Sequence, residues 1–144
     1  MKTLRFLFAA LALGLALAGT TAHATELQAV LITASPEPGP TDPRLARYEV
    51  TLKRVLRFNS YTYQGSDSSA LAASERANLM IGQGHELFIE TGSSPLTLRV
   101  RWTEGGRTLM STGLTLRNGV PAVLGGPATG NHPGEVYAVI LLAR

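Results

Sequence analysis

Acid–base and metal chemistry in this chain would have to come from three histidines, His23, His85 and His132, because its 144 residues include no cysteine. The missing thiols exclude a disulfide framework, a cysteine zinc site, an iron–sulfur cluster, a thiol nucleophile and a lipoprotein anchor. His85-Glu86 and His132-Pro-Gly-Glu135 each set an imidazole near a carboxylate, yet neither has the i, i+4 spacing of a helical zinc motif. No metal and no cofactor is expected. A nucleophilic serine needs a base and an orienting group. No Gly-x-Ser-x-Gly elbow occurs, and Ser66, Ser68 and Ser69 cluster about Asp67 as in a turn. Glu86 and Glu90 share strand parity at about 13 Å, beyond the separation that glycoside hydrolysis uses. Gly82-Gln-Gly84 and Gly125-Gly126 lack the Lys-Ser/Thr of a phosphate loop and read as turns and strand ends. The inventory predicts no catalytic residues; a hydrolase dependent on His85 is the enzymatic alternative.

Binding chemistry has more to work with. At 100° per residue, Leu45, Tyr48, Leu52, Val55 and Leu56 fall in one arc, with Arg44, Arg47, Lys53, Arg54 and Arg57 opposite. Such a basic face suits an acidic partner or anionic headgroups, and equally suits water. Tyr61 and Tyr63 share a strand face with Asn59 that would stack a sugar or pair with a neighbouring strand. Arg99 and Arg101, with Thr97 and Thr103, form the polar side of an alternating run. The candidate contact residues are therefore Arg44, Arg47, Lys53 and Arg54 on a helix, Tyr61 and Tyr63, and Arg99 and Arg101.

The elements that carry these residues begin after a leader. Lys2 and Arg5 precede an apolar run from Phe6 to Ala18, and Ala22-His23-Ala24 places small residues where a signal peptidase accepts them. The run is shorter than the roughly 20 residues that span a bilayer. Residues 1–24 are expected to be cleaved between Ala24 and Thr25, leaving one domain over 25–144, exported to the periplasm or beyond. Losing Lys2 and Arg5 lowers the formal charge from +3 to +1, which removes the basic field expected of a nucleic-acid binder. Leu27–Thr33 reads as a strand, 34–41 as a Pro-rich loop and 43–57 as an amphipathic helix, capped by Asp42 with Pro43 at its first position. Beyond Phe58 the period shifts towards two. Strands are predicted at 58–63, 70–73, 77–81, 85–90, 96–103, 109–116, 120–124 and 136–143, with Gly65-Ser-Asp-Ser-Ser69 as an interruption. The last run is apolar on both faces and is expected at the centre of a sheet. With the ambiguous stretch 70–83 counted as one strand or none, seven or eight short strands with one helix predict a mainly β, antiparallel β-sandwich.

Leu114-Thr-Leu-Arg-Asn118-Gly119-Val-Pro-Ala-Val-Leu124-Gly125-Gly126 resembles the strand–turn–strand motif near the end of bacterial secretins, channel proteins of the outer membrane. Pro121 departs from that motif, and the chain lacks the repeated 9–11-residue alternation of membrane strands. The resemblance therefore implies a bacterial envelope setting and no channel. Together these features predict a small exported binding or assembly-accessory protein without catalytic activity. Its partner would be an envelope protein or a second copy, with peripheral membrane contact through the basic helix as a further route. The alternative is a carbohydrate- or lipid-binding module working through Tyr61 and Tyr63.

Overall fold

Two runs of sequence, near residues 30 and 140, are apolar on both faces, and they pair at the centre of the fold. The computed structural model describes residues 24–144. The expected leader lies outside them except for Ala24, which is exposed immediately before the first strand begins at Thr25. In chain order the strands are β1 (Thr25–Ser35), β2 (Ser60–Leu71), β3 (Arg76–Gly82), β4 (His85–Thr91), β5 (Thr97–Glu104), β6 (Arg107–Thr115), β7 (Ala122–Ala128) and β8 (Val136–Ala143). One sheet has the order β2-β1-β8-β7 and the other β3-β4-β5-β6, with every pairing antiparallel. The predicted mainly β sandwich with one amphipathic helix is thus the observed architecture.

Each face of the first sheet covers its own core. Leu27, Ala29 and Leu31 of β1 join Val139 and Leu141 of β8 against Leu79, Leu87, Ile89, Val100 and Trp102 of the second sheet. The intervening Val30, Ile32, Ala138 and Ile140 point the other way and meet Leu45, Tyr48 and Leu52. A strand buried on both sides needs apolar residues without alternation, which is what β1 and β8 supply. The helix therefore forms a third layer outside the first sheet, while no element among the described residues covers the far face of the second sheet.

The helical segment departs from a uniform 43–57 helix. Pro43–Tyr48 winds as a 3-10 turn, and α1 proper spans Glu49–Leu56. Leu45 and Tyr48 are three apart, so 3-10 winding, which eclipses i and i+3, turns both inward; Leu52 and Leu56 are four apart and fit the α register. These residues set the inward direction, and Val55, expected in the apolar arc, is half exposed. Asp42 caps as anticipated, its Oδ1 accepting from Arg44 N at 3.0 Å, and Arg57 ends the helix in the left-handed region at φ 56°.

Three other expectations need correction. Gly65–Ser69 does not interrupt β2, which continues through the predicted 70–73 strand to Leu71 along β1, with a register shift where Leu31 faces Gly65 and Ile32 faces Tyr63. As an edge strand, β2 accommodates polar residues that a central strand could not bury. A Cβ on Gly65 would overlap the Ile81 carbonyl, so the glycine lets β2 lie against the end of β3. Asn118-Gly119 does form a tight turn, closed by the Arg117–Val120 bridge with Gly119 at φ 74°. The strands predicted on either side of it, 109–116 and 120–124, do not pair with each other, however: β6 and β7 belong to different sheets. Finally, Gly125-Gly126-Pro127 does not end β7, which runs on to Ala128 because Gly126 packs flush against the Trp102 indole, leaving no room for a Cβ.

Candidate functional site

Strict alternation along β5 sends Leu98, Val100 and Trp102 into the core and Arg99 and Arg101 to the uncovered face of the second sheet. The register completes two rows across that face. Arg76, Glu90, Arg99 and Gly113 line up in one, and Asn78, Phe88, Arg101 and Ser111 in the next. Between them lies an open trough of about 600 Å³, lined by these residues, within the roughly 300–1,000 Å³ range of ligand sites. Arg76 Nη2 pairs with Glu90 Oε1 at 3.2 Å. The Arg101 guanidinium lies 4.4 Å from the Phe88 ring centroid, a cation–π stack. Neither Arg99 nor Arg101 makes an ion pair among the described residues. Besides the paired Arg76, the trough therefore holds two cations without a carboxylate partner, about 6.8 Å apart along the strand, beside a β6 wall reduced to a hydroxyl and a glycine.

Most of the other candidate residues are engaged locally. Arg44 chelates Asp42, with Nη2 to Oδ2 at 2.8 Å and Nε to Oδ1 at 3.1 Å, and stacks 4.3 Å from the Tyr63 centroid. That guanidinium holds the Asp42 carboxyl down at about 2. Arg47 lies over Tyr48. Lys53 donates to Glu49 at 2.7 Å, an i, i+4 pair that raises its pKa, and Arg54 is exposed. The helix face is basic and wet, with Arg44 and Lys53 paired to carboxylates and Arg47 and Arg54 without an ion pair among the described residues.

Tyr61 does not belong to any contact surface. It is fully buried under the helix, and its hydroxyl accepts from Phe58 N and donates to Phe58 O, both at 3.1 Å. Burial raises its pKa. Tyr63 is half buried, with its hydroxyl 2.7 Å from Ser66 Oγ. The expected two-tyrosine platform is dissolved because β2 places Tyr61 in the helix-side core, where a large ring fills the space beside Leu45 and Leu52.

His85 also turns inward. Its Nδ1 accepts from Trp102 Nε1 at 2.8 Å, its ring lies 4.4 Å from that of Tyr137, and its buried Nε2 has no hydrogen-bond partner, with Glu104 Oε2 at 3.8 Å. Desolvation lowers its pKa against the opposing pull of Glu104. A base so enclosed cannot reach a substrate without opening the core. Among the described residues no three His, Asp or Glu side chains gather as a metal site requires, and no helix is long and apolar enough to cross a membrane.

Sequence alternation located Arg99 and Arg101; it missed Arg76, Asn78, Phe88, Ser111 and Gly113. Strand pairing is the missing signal, since only register places four strands' residues in two rows. Compared with family models, curated proteins and solved structures, the chain matches none of them.

Proposed function

We propose that this is a small exported binding protein of the bacterial cell envelope, without a catalytic group, whose working surface is the uncovered face of the second sheet. The observation that carries the reading is the trough across four strands, with two arginines lacking carboxylate partners. An unpaired guanidinium beside a concavity is a recognition group awaiting an anion. The leader-like residues 1–24, with Ala22 and Ala24 before Thr25, and the secretin-like run 114–126 support the envelope setting. The basic helix face is the weaker candidate: Arg44 and Lys53 are already paired with carboxylates, and the pocket beside its unpaired Arg47 holds only about 100 Å³. With Tyr61 buried, the sugar- or lipid-binding alternative has no tyrosine platform to work through.

Co-sedimentation of the exported protein with isolated bacterial envelopes tests this reading. Retention is expected to be lost in the Arg99→Glu/Arg101→Glu variant and kept in Arg47→Glu/Arg54→Glu. The reverse pattern would transfer the function to the helix. Mass spectrometry of the envelope-associated form should find Thr25 as its first residue, and an intact Met1 would refute export by cleavage.

A further inference from the structure

Gly113 is the residue in the trough that the fold itself does not explain. A glycine within a strand weakens it and ordinarily marks a bulge, a bend or a close approach of another backbone or ligand. Here the backbone is regular. Gly113 pairs opposite Arg99 inside β6, away from the register shift between Trp102 and Thr103, and is absent from the positive-φ glycines. A Cβ at this position would meet only the Leu98 carbonyl, at an ordinary 3.7 Å. Gly65 and Gly126, by contrast, are each required by a neighbour. What a side chain at 113 would fill is the trough beside Arg99.

Resting on the reading of this face as the working surface, we propose that the trough binds an acidic oligosaccharide, its carboxylates gripped by Arg99 and Arg101 and one sugar ring seated over Gly113. The stack on Phe88 holds the Arg101 fork in place before binding, so little side-chain freedom is lost when it takes a carboxylate with two parallel hydrogen bonds. Asn78 and Ser111, in the same row, supply amide and hydroxyl partners for sugar hydroxyls. Glu90 does not oppose the ligand's charge, being tied to Arg76.

The geometry disfavours other anionic ligands. A peptide adding itself as a strand needs a free sheet edge, whereas β4 and β5, which form the trough floor, are paired on both sides. Protein partners anchor through aromatic or aliphatic side chains in dry pockets; the trough's one aromatic ring, Phe88, lies under Arg101. The aliphatic lining residues Ile89 and Val100 are buried towards the core, which leaves an acyl chain only the edge of Phe88 to contact.

Calorimetric titration with trigalacturonate tests the inference, with maltotriose, deca-glutamate and phosphatidylglycerol vesicles as competing probes. Trigalacturonate should bind and maltotriose should not, with affinity falling as salt rises. Arg99→Ala and Arg101→Ala should each weaken binding about 10- to 100-fold, and Arg101→Lys should also weaken it, because an ammonium keeps the charge but not the stacked fork. Gly113→Leu should abolish binding without lowering the urea midpoint, and Gly113→Ser should weaken it, so that lost binding is separated from lost structure. Equal affinity for maltotriose, or no binding of trigalacturonate, overturns the saccharide assignment. Binding of deca-glutamate or vesicles alone, still blocked by Gly113→Leu, overturns the ligand class and leaves the face standing. Loss of the saccharide result together with envelope retention indifferent to Arg99→Glu/Arg101→Glu overturns both.

Discussion

His85 and Trp102 show how one hydrogen bond fixes a protonation state. The indole N–H is only a donor, so the imidazole Nδ1 that it meets at 2.8 Å must be unprotonated, and the ring is neutral with its proton on Nε2. A second proton would set two donors against each other in a site with no exposed histidine surface. Burial accordingly lowers the pKa from its ordinary 6.5, while Glu104 pulls the other way. The native state therefore binds this proton less readily than the unfolded chain. The resulting stability is fully present above about pH 6.5 and is lost as pH falls through the folded-state value, at about 1.4 kcal/mol for each unit of depression. Urea midpoints for the wild type should drop between pH 7.5 and pH 5. His85→Gln keeps an acceptor for the indole but cannot titrate, so its drop should be smaller; His132 remains in both proteins. Equal slopes would show that His85 does not carry the effect. The same enclosure explains why an imidazole beside a carboxylate in sequence, His85-Glu86, is not a reactive pair in space.

At the level of elements, legibility followed the number of faces that burial constrains. β5 was readable because one face is dry and one wet, giving strict alternation from Leu98 to Trp102. β8 was readable as central because both faces are covered. The amphipathic helix was legible from its period and its Asp42 cap, though not its change of winding at Tyr48, which follows the three-residue spacing of Leu45 and Tyr48. β2 was misread because an edge strand with an exposed polar half carries little of this signal, and the reason for Gly65 lies in the approach of β3, 16 residues later in the chain at Ile81. The trough was legible only along β5. Its cations are a property of one strand, while its shape depends on register across four. Gly65 and Gly113 make the contrast measurable. Gly65→Ala should cost about 1–3 kcal/mol in urea unfolding, as overpacking against the Ile81 backbone typically does. Gly113→Ala should cost nothing or add stability, since its Cβ meets only the Leu98 carbonyl at an ordinary contact distance. Equal losses at the two sites would mean that β6 tolerates a side chain no better than the β2–β3 contact does, and would remove the argument that Gly113 is kept for a ligand.

For the whole molecule the decisive arrangement is three layers, with the first sheet serving two cores. Leu52 is fully buried between the helix and the outer side of that sheet, and Leu87 between the two sheets. Neither residue belongs to the other's cluster, and the backbones of β1 and β8 stand between them. Without cysteines, these two cores must supply the cohesion that disulfides provide in many exported domains. They also divide the labour of the fold: the helix-side core covers the first sheet, which leaves the far face of the second sheet free to carry the trough. If the cores are energetically separate, Leu52→Ala and Leu87→Ala should each cost about 2–5 kcal/mol, and the double variant should lose their sum within about 0.5 kcal/mol. Coupling well above that would mean that the central sheet transmits strain from one core to the other. In that case substitutions under the helix would be expected to disturb ligand affinity at the trough. Additivity instead predicts that Leu52→Ala, provided it remains folded at the assay temperature, binds the trough ligand like the wild type, because β5 and β6 take their positions from the inter-sheet core alone.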